Sequence, residues 1–350
     1  MNPIRYMAIG ALFAGGFFAT QQCSAVDWKI ATDSEKSTHF VVGNDLARHV
    51  APGANVRLNV MQTPGAAANI KLLRYDSGVK LAIVQNDVLQ ALFDQAKAGN
   101  AEAAELTQAV RIVTPLFDNE IHFIARADSP MNFVHDMRGA KISGGAVGGG
   151  AALTTHTLYR RLFGTPIPSG NAVFVSTEEA LVKLITDQSV DVVAVIGAQP
   201  VPLIANMKAD AQKFVKFLKF DATHPSAKAV IGGYAPAKLL AAGYPNLLTA
   251  DIESLAVGTL LATYDYPQKD TADSLGRFSR SLCQNFATLQ AKGHPKWKEA
   301  DLALPQLPEG WRYFSQAANE IKACLARQGK PTTRTEKACG AEERALGLCK

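Results

Sequence analysis

The chain has 350 residues, 47% hydrophobic and 19% charged, with a formal net charge of +5. That balance describes a globular protein with a large core and excludes an intrinsically disordered one. No basic stripe with interleaved aromatics is present, which excludes a nucleic-acid surface. After the first 25 residues no apolar run reaches the roughly 18 residues of a membrane span.

Residues 1–25 read as a cleaved leader. Arg5 supplies a positive start, Met7 to Ala19 is apolar but too short for a permanent anchor, and Cys23-Ser-Ala25 offers small residues to a signal peptidase. Cys23 raises lipidation, but Thr20-Gln-Gln22 lacks the Leu and small residues of a lipobox. The mature chain is therefore expected to be exported. At roughly 325 residues it exceeds one typical domain, so two lobes are expected.

From residue 27 strand-length apolar runs alternate with amphipathic helical stretches, the pattern of α/β layers. Lys29 to Thr32 reads as a first strand, with a polar loop from Asp33 to Thr38 and a helix carrying Phe40, Val41, Leu46, Ala47 and Val50. Val56 to Met61 is a second strand, followed by a short helix through Asn69, Leu72 and Leu73, and Leu81 to Val84 is a third strand. Arg111 to Ala125 is apolar, interrupted at Asp118-Asn-Glu120, and suits a crossover between lobes. A second round then opens at Lys141 to Ser143. Its following helix packs Leu158, Tyr159, Leu162 and Phe163 on one face, and Ala172 to Val175 is the next strand. Ser176-Thr-Glu-Glu179 is a capping box, and Leu181, Leu184 and Ile185 point that helix inward. Val190 to Ile196, almost unbroken in apolar character, reads as a parallel strand buried on both faces.

The most informative stretch is Lys141-Ile-Ser-Gly-Gly-Ala-Val-Gly-Gly-Gly-Ala151, a strand end, a turn stripped of side chains and a helix start. Helix starts carry unpaired N–H groups and partial positive charge, and suit a carboxylate or phosphate. The glycines match neither G-x-G-x-x-G nor a P-loop, so a nucleotide is not indicated. Four other strands end in polar or small loops, at Thr32–Thr38, Thr63–Asn69, Gln85–Asp87 and Gly197–Pro200. Ligands sit at the carboxyl ends of strands in open α/β sheets, so two facing sheets would make these loops one site.

Several of these segments resemble the TAXI-type solute receptors of TRAP transporters. They are Ile30-Ala-Thr-Asp-Ser-Glu-Lys-Ser-Thr38, Thr63-Pro-Gly-Ala-Ala-Ala-Asn69, Leu81-Ala-Ile-Val-Gln-Asn-Asp87, Met137-Arg-Gly-Ala-Lys-Ile-Ser143 with its glycine turn, and Asp191-Val-Val-Ala-Val-Ile-Gly-Ala-Gln-Pro200. Order and spacing hold over roughly residues 27–265. The resemblance implies a type II periplasmic-binding-protein fold, with two α/β lobes around a ligand cleft. It implies a periplasmic receptor that captures a small carboxylate solute, an amino acid or organic acid, and delivers it to TRAP membrane subunits.

Carried over by position, the ligand-binding set is Thr32, Ser37, Thr38, Asn69, Gln85, Asp87, Gly148, Gly149, Gly150, Thr154 and Gln199. Ala66 and Asn86 stand where the family has serines, and Gly150-Ala151 where it often reads Ser-Gly-Thr, so hydroxyl donors are missing. Asp87 also fits a plain helix N-cap, Thr38 and Asn69 fit caps or turns, and Pro200 gives Gln199 a loop role. The lobes are expected at 26–115 plus 225–320 and at 116–224, with a basic tail at 321–350. No cofactor or metal is expected, and the protein is expected to be monomeric.

Three alternatives stay open. The same fold serves ABC importers and sensor kinases. An enzyme acting on a cleft-bound solute would need His122, His135 and His156 to converge with Asp87, although neither His-Glu-x-x-His nor Gly-x-Ser-x-Gly occurs.

After the leader the cysteines are Cys283, Cys324, Cys339 and Cys349, an even set without a Cys-x-x-Cys spacing, which favours structural disulfides in an exported chain. Three pairings exist. Cys283–Cys324 and Cys339–Cys349 are favoured, the first stapling two helices, one over Phe278–Leu289 and one through Ala318, Ile321 and Leu325, the second closing a short loop. The tail carries Lys322, Arg327, Lys330, Arg334, Lys337, Arg344 and Lys350 against Glu336, Glu342 and Glu343, a net +4 that could dock on an anionic surface.

Overall fold

The computed structural model describes residues 25–333. The leader with Cys23, the pair Cys339 and Cys349, and most of the basic tail lie outside the described residues. Chain order runs β1 (Val26–Ala31), α1 (Thr38–His49), β2 (Val56–Met61), α2 (Ala66–Tyr75), β3 (Val79–Gln85), α3 (Asn86–Lys97), α4 (Ala101–Thr107) and β4 (Val110–Arg126). It continues β5 (Ile142–Ser143), α5 (Gly150–Phe163), β6 (Ala172–Val173), α6 (Thr177–Ile185), β7 (Val192–Gly197), α7 (Pro202–Ala205), β8 (Val215–Phe217) and β9 (Ala235–Leu239). Last come β10 (Ile252–Tyr264), α8 (Lys269–Gln284), α9 (Phe286–Lys292) and α10 (Ser315–Arg327).

The strands form two α/β lobes that share a pair of long strands, in the order β2-β1-β3-β10-β4-β7-β5-β6. In the first lobe, β1 pairs parallel with β2 and β3, and the end of β10 joins β3 through Thr259–Ala262 against Gln85–Ala82. In the second, β7 and β6 flank β5 in parallel, while β7 meets the far half of β4 at Glu120–Ala125. The expected two-lobed α/β fold is thus present. Burial explains the local patterns. Edge strand β2 buries Val56 and Leu58 and exposes Arg57 and Asn59, because only one face is covered, whereas β3 is covered on both faces and is continuously apolar from Leu81 to Val84.

Each lobe has helices on both faces. Trp28, Ile30, Leu81 and Ile83 pack against α1, α8 and α10 on one side of the first lobe, and Ala31, Ala82 and Val84 against α2 and α3 on the other. In the second lobe Phe123, Ile142 and Val192 pack under α5, and Val193 and Val195 under α6. Ala227, Val230 and Tyr234 belong to the α5 core, and Leu239 and Tyr244 to the α6 core. The segment 225–251, expected in the first lobe, therefore packs on the second, because the chain returns only along β10.

β4 runs through the Asp118-Asn-Glu120 interruption as 17 residues paired with β10. Two local expectations change. The Phe278–Leu289 helix is two helices, α8 and α9, meeting at Asn285. Ile185 is 41% exposed at the end of α6 rather than inward. Ser176 caps α6 as expected, its Oγ accepting from Glu179 N at 3.1 Å. The favoured Cys283–Cys324 disulfide is formed and staples α8 to α10.

Where β4 passes between the lobes, Glu120 is tied from both sides. Its Oε1 accepts from Lys296 Nζ at 2.6 Å, and its Oε2 accepts from Gln199 N at 2.9 Å. Lys296 is 1% exposed and Glu120 6%. Removing one member of a buried pair leaves the other charge unpaired, at about 3–5 kcal/mol. Lys296→Met is expected to lose that much in urea unfolding, and Lys296→Met with Glu120→Gln to recover most of it. Equal loss in both variants would show that the ammonium acts through packing alone.

Candidate functional site

A cleft of about 720 Å³ lies between the lobes. Its first-lobe wall comes from the β1–α1 loop, with Asp33, Lys36, Ser37, Thr38 and His39, and from Gln85 at the end of β3. Its second-lobe wall comes from Ala151, Thr177, Glu178 and the run that leads from β7 into α7. Asn119 of the shared strand β4 also lines it.

The starts of four helices meet this space, two from each lobe. Ser37 caps α1, its Oγ accepting from Phe40 N at 3.1 Å, and Thr38 and His39 open that helix against the cleft. Gln85 is the residue before α3, Ala151 lies in the first turn of α5, and Thr177 and Glu178 open α6. Each start contributes roughly half a positive charge and unpaired N–H donors. Loops at the ends of β1, β3, β5 and β6 deliver them, as expected for the carboxyl edge of an α/β sheet.

Charged side chains are few here. Lys36 Nζ reaches Glu178 Oε1 across the mouth at 3.3 Å, with both groups largely exposed. Burial raises the Asp33 carboxyl to about 6, against a hydrogen bond from Ser34 N that lowers it. Burial lowers the His39 imidazole to about 4, so it is neutral at pH 7. Its Nε2 lies 2.9 Å from Asn119 Nδ2, and the amide also donates to Thr259 Oγ1 at 3.3 Å. Asn119 Oδ1 is left buried with no hydrogen-bond partner, an acceptor without a donor at the cleft wall.

Of the residues singled out in the sequence, Ser37, Thr38 and Gln85 line the cleft. Thr32, Asn69, Asp87, Thr154 and Gln199 instead make contacts within and between the walls. Thr32 Oγ1 donates to Met61 O at 2.8 Å, and buried Asn69 donates through Nδ2 to Thr32 O and Ile83 O at 2.6 and 2.7 Å. Asp87 accepts from Tyr234 of the second lobe at 2.8 Å, and burial raises its carboxyl above the usual range. Thr154 Oγ1 accepts from Gln85 Nε2 at 3.4 Å, a second tie between lobes. Gln199 Nε2 donates to Lys238 O and its Oε1 accepts from Leu240 N, which holds the turn after β7.

The glycine turn acts mainly by close approach. A Cβ on Gly150 would run into Gln85 Oε1, and one on Gly65, whose φ is +125°, would lie 2.7 Å from Gly150 N. Gly65 and Gly150 let the two lobes touch backbone to backbone beside the cleft, while Gly148 faces open space. The histidines of the enzyme alternative are apart. His122 Nε2 lies 2.6 Å from Tyr244 Oη, His135 stacks on His224, and His156 stacks on Phe174. Among the described residues no group of three His, Cys, Asp or Glu side chains is placed to hold a metal ion, and no helix is long and apolar enough to cross a membrane.

Asp33, Lys36, His39, Asn119 and Glu178, together with the apolar run after β7, are cleft residues that the sequence reading did not select. Asp33 and Lys36 belong to a loop whose polarity is plain in the sequence. Asn119 had a signal too, as one of three polar residues inside an otherwise apolar run.

The fold and cleft define a two-lobed α/β protein with one concave site at the lobe junction. Over residues 30–299 the chain matches the NMT1-like family, to which it belongs. No curated protein matches it in sequence. Among solved structures it is similar to the periplasmic binding protein BugD, at 14% identity over 91% of this chain and 97% of that one, TM-score 0.46. It is also similar to a TctC solute binding protein from Polaromonas, at 15% identity over 94% and 99%, TM-score 0.41. A third is the arginine-, lysine-, histidine-binding protein ArtJ from Geobacillus stearothermophilus, at 12% identity over 78% and 99%, TM-score 0.44.

The backbone contact beside the cleft gives a test. Gly65→Ala adds a Cβ against a backbone nitrogen at a left-handed φ, and should lower stability by about 1–3 kcal/mol or open the lobes, seen as a larger radius of gyration. Gly148→Ala, also at positive φ but in open space, should cost about 1 kcal/mol and leave the radius unchanged. Identical behaviour of the two would show that Gly65 carries no contact between lobes.

Proposed function

We propose that this protein is a periplasmic solute receptor that closes around a small carboxylate and delivers it to a TRAP-type secondary transporter. The observation that carries the reading is the meeting of four helix starts, two from each lobe, on one cleft. A carboxylate placed there accepts backbone N–H groups from both lobes at once, which makes ligand binding and lobe closure a single event. Asn119 Oδ1 supplies an acceptor for a donor group on the solute, as an amino acid would offer. The Cys283–Cys324 disulfide supports an oxidising compartment. The TRAP assignment rests on the TAXI-like segments of the sequence.

Thermal shift against organic acids and amino acids tests the ligand class. Stabilisation by carboxylates is expected, and a clear shift only with uncharged or cationic compounds would overturn it. Uptake in vesicles that needs the receptor and an ion gradient, and runs without ATP, tests the transporter class.

The cleft also sets a pH dependence. Asp33 titrates near 6, so lowering the pH from 7.5 to 5 removes a negative charge from the site, while His39 stays neutral until about 4. Carboxylate affinity should rise about threefold or more on that acidification. Asp33→Asn should bind at pH 7.5 as the wild type does at pH 5, with a flat profile between. A wild-type profile that falls toward pH 5 would remove Asp33 from the site.

A further inference from the structure

The two walls of the cleft differ in chemistry. The first-lobe wall is polar, whereas the second-lobe wall is built largely from Val195, Ile196, Ala198, Val201, Pro202 and Leu203. Leu203 is 36% exposed, so part of its apolar side chain is left uncovered by the described chain. The cleft volume of about 720 Å³ is large for a four- or five-carbon diacid, and its size leaves room for a body along that wall.

Charge points the same way. Among the described residues the cleft holds two carboxylates, Asp33 and Glu178, and one ammonium, Lys36, which is already paired with Glu178, and no arginine lines it. One carboxylate can be held by the helix starts. A second, displaced by the length of a short chain, would face either the apolar wall or a like charge, and both are unfavourable.

Resting on the receptor reading above, we propose that the solute is a monocarboxylate with an apolar aliphatic or aromatic body, and that dicarboxylates are discriminated against. The head group lies at the starts of α1, α3, α5 and α6, and the body lies against the run from Val195 to Leu203. Glu178 acts as the negative element of the selection, disfavouring a second carboxylate more than it contributes to holding the first.

Calorimetry with the mature protein at pH 7.5 separates the outcomes, using matched probes with and without an amino group. Phenylalanine, leucine and 3-phenylpropionate are set against glutamate, aspartate and glutarate, with 3-phenylpropionamide as the uncharged control. The apolar monocarboxylates are expected to bind at least tenfold tighter than the diacids. Leu203→Asn, a partly exposed position where folding should survive, should weaken 3-phenylpropionate at least fivefold and leave the diacids within twofold. Glu178→Gln should narrow the gap by raising glutarate affinity. Diacids that bind as tightly as the apolar acids, or tighter, would overturn the proposal and leave the carboxylate-receptor reading standing. Binding of the amide alone, or of no probe at millimolar concentration, would overturn both.

Discussion

The molecule depends on one strand that belongs to both lobes. β4 gives its first half to the sheet of the first lobe and its second half to the sheet of the other, with β10 antiparallel beside it. Its backbone groups are therefore committed at both ends, and the ladder with β10 shifts register beside Gly258. Glu120 sits there with one oxygen on Lys296 and the other on the Gln199 amide. A buried pair of this kind gains little net energy over an apolar replacement, but it penalises any arrangement that separates its members. The pair consequently specifies where the turn after β7 lies relative to the first lobe, and that turn leads into the apolar wall of the cleft.

Behind the cleft the lobes meet through contacts of a different kind. Gly65 and Gly150 allow backbone to approach backbone, and Gln85–Thr154 and Asp87–Tyr234 add polar ties in a buried setting. Asp87 shows why position in a motif is a weak guide to role. The TAXI-like Leu81–Asp87 segment places it among ligand residues, yet its carboxylate is occupied by a tyrosine 147 positions later in the chain.

Much of the architecture was legible because burial imposes periodicity. β2 alternates, β3 and β7 are continuous, and α5 repeats its apolar residues at helical spacing, so each declared its environment. The Cys283–Cys324 staple was legible from the helical positions of its two cysteines. Less legible was anything set by pairing across the chain. Asp118-Asn-Glu120 reads only as an interruption of an apolar run, because such polar residues have no local partner to explain them. The partners of Asn119 and Glu120 are His39, Thr259, Lys296 and Gln199, remote in sequence. Within the site, helix starts were visible as caps and glycines, which is why Ser37, Thr38 and Gln85 emerged. The wall from Val195 to Leu203 was hidden, because apolar residues at a strand end read as core whether they face a neighbour or a cleft.

The convergence of helix starts has an electrostatic consequence for closure. Each start is fixed to its lobe, so bringing the lobes together brings four partial positive ends into one space of reduced dielectric. They repel unless a negative group lies among them. Asp33 and Glu178 line that space, and Lys36 offsets one of them at the mouth. The resident carboxylates thus moderate that repulsion, and burial raises the Asp33 carboxyl to about 6. On the receptor reading, a carboxylate arriving from solution would complete the compensation by accepting from both walls. An arginine in its place would hold an anion tightly in the open lobe as well as the closed one, whereas helix starts divided between lobes reward an anion fully only when the lobes meet. On the receptor reading, dividing the positive ends between two lobes is what would let a protein capture a solute by closing and release it by opening.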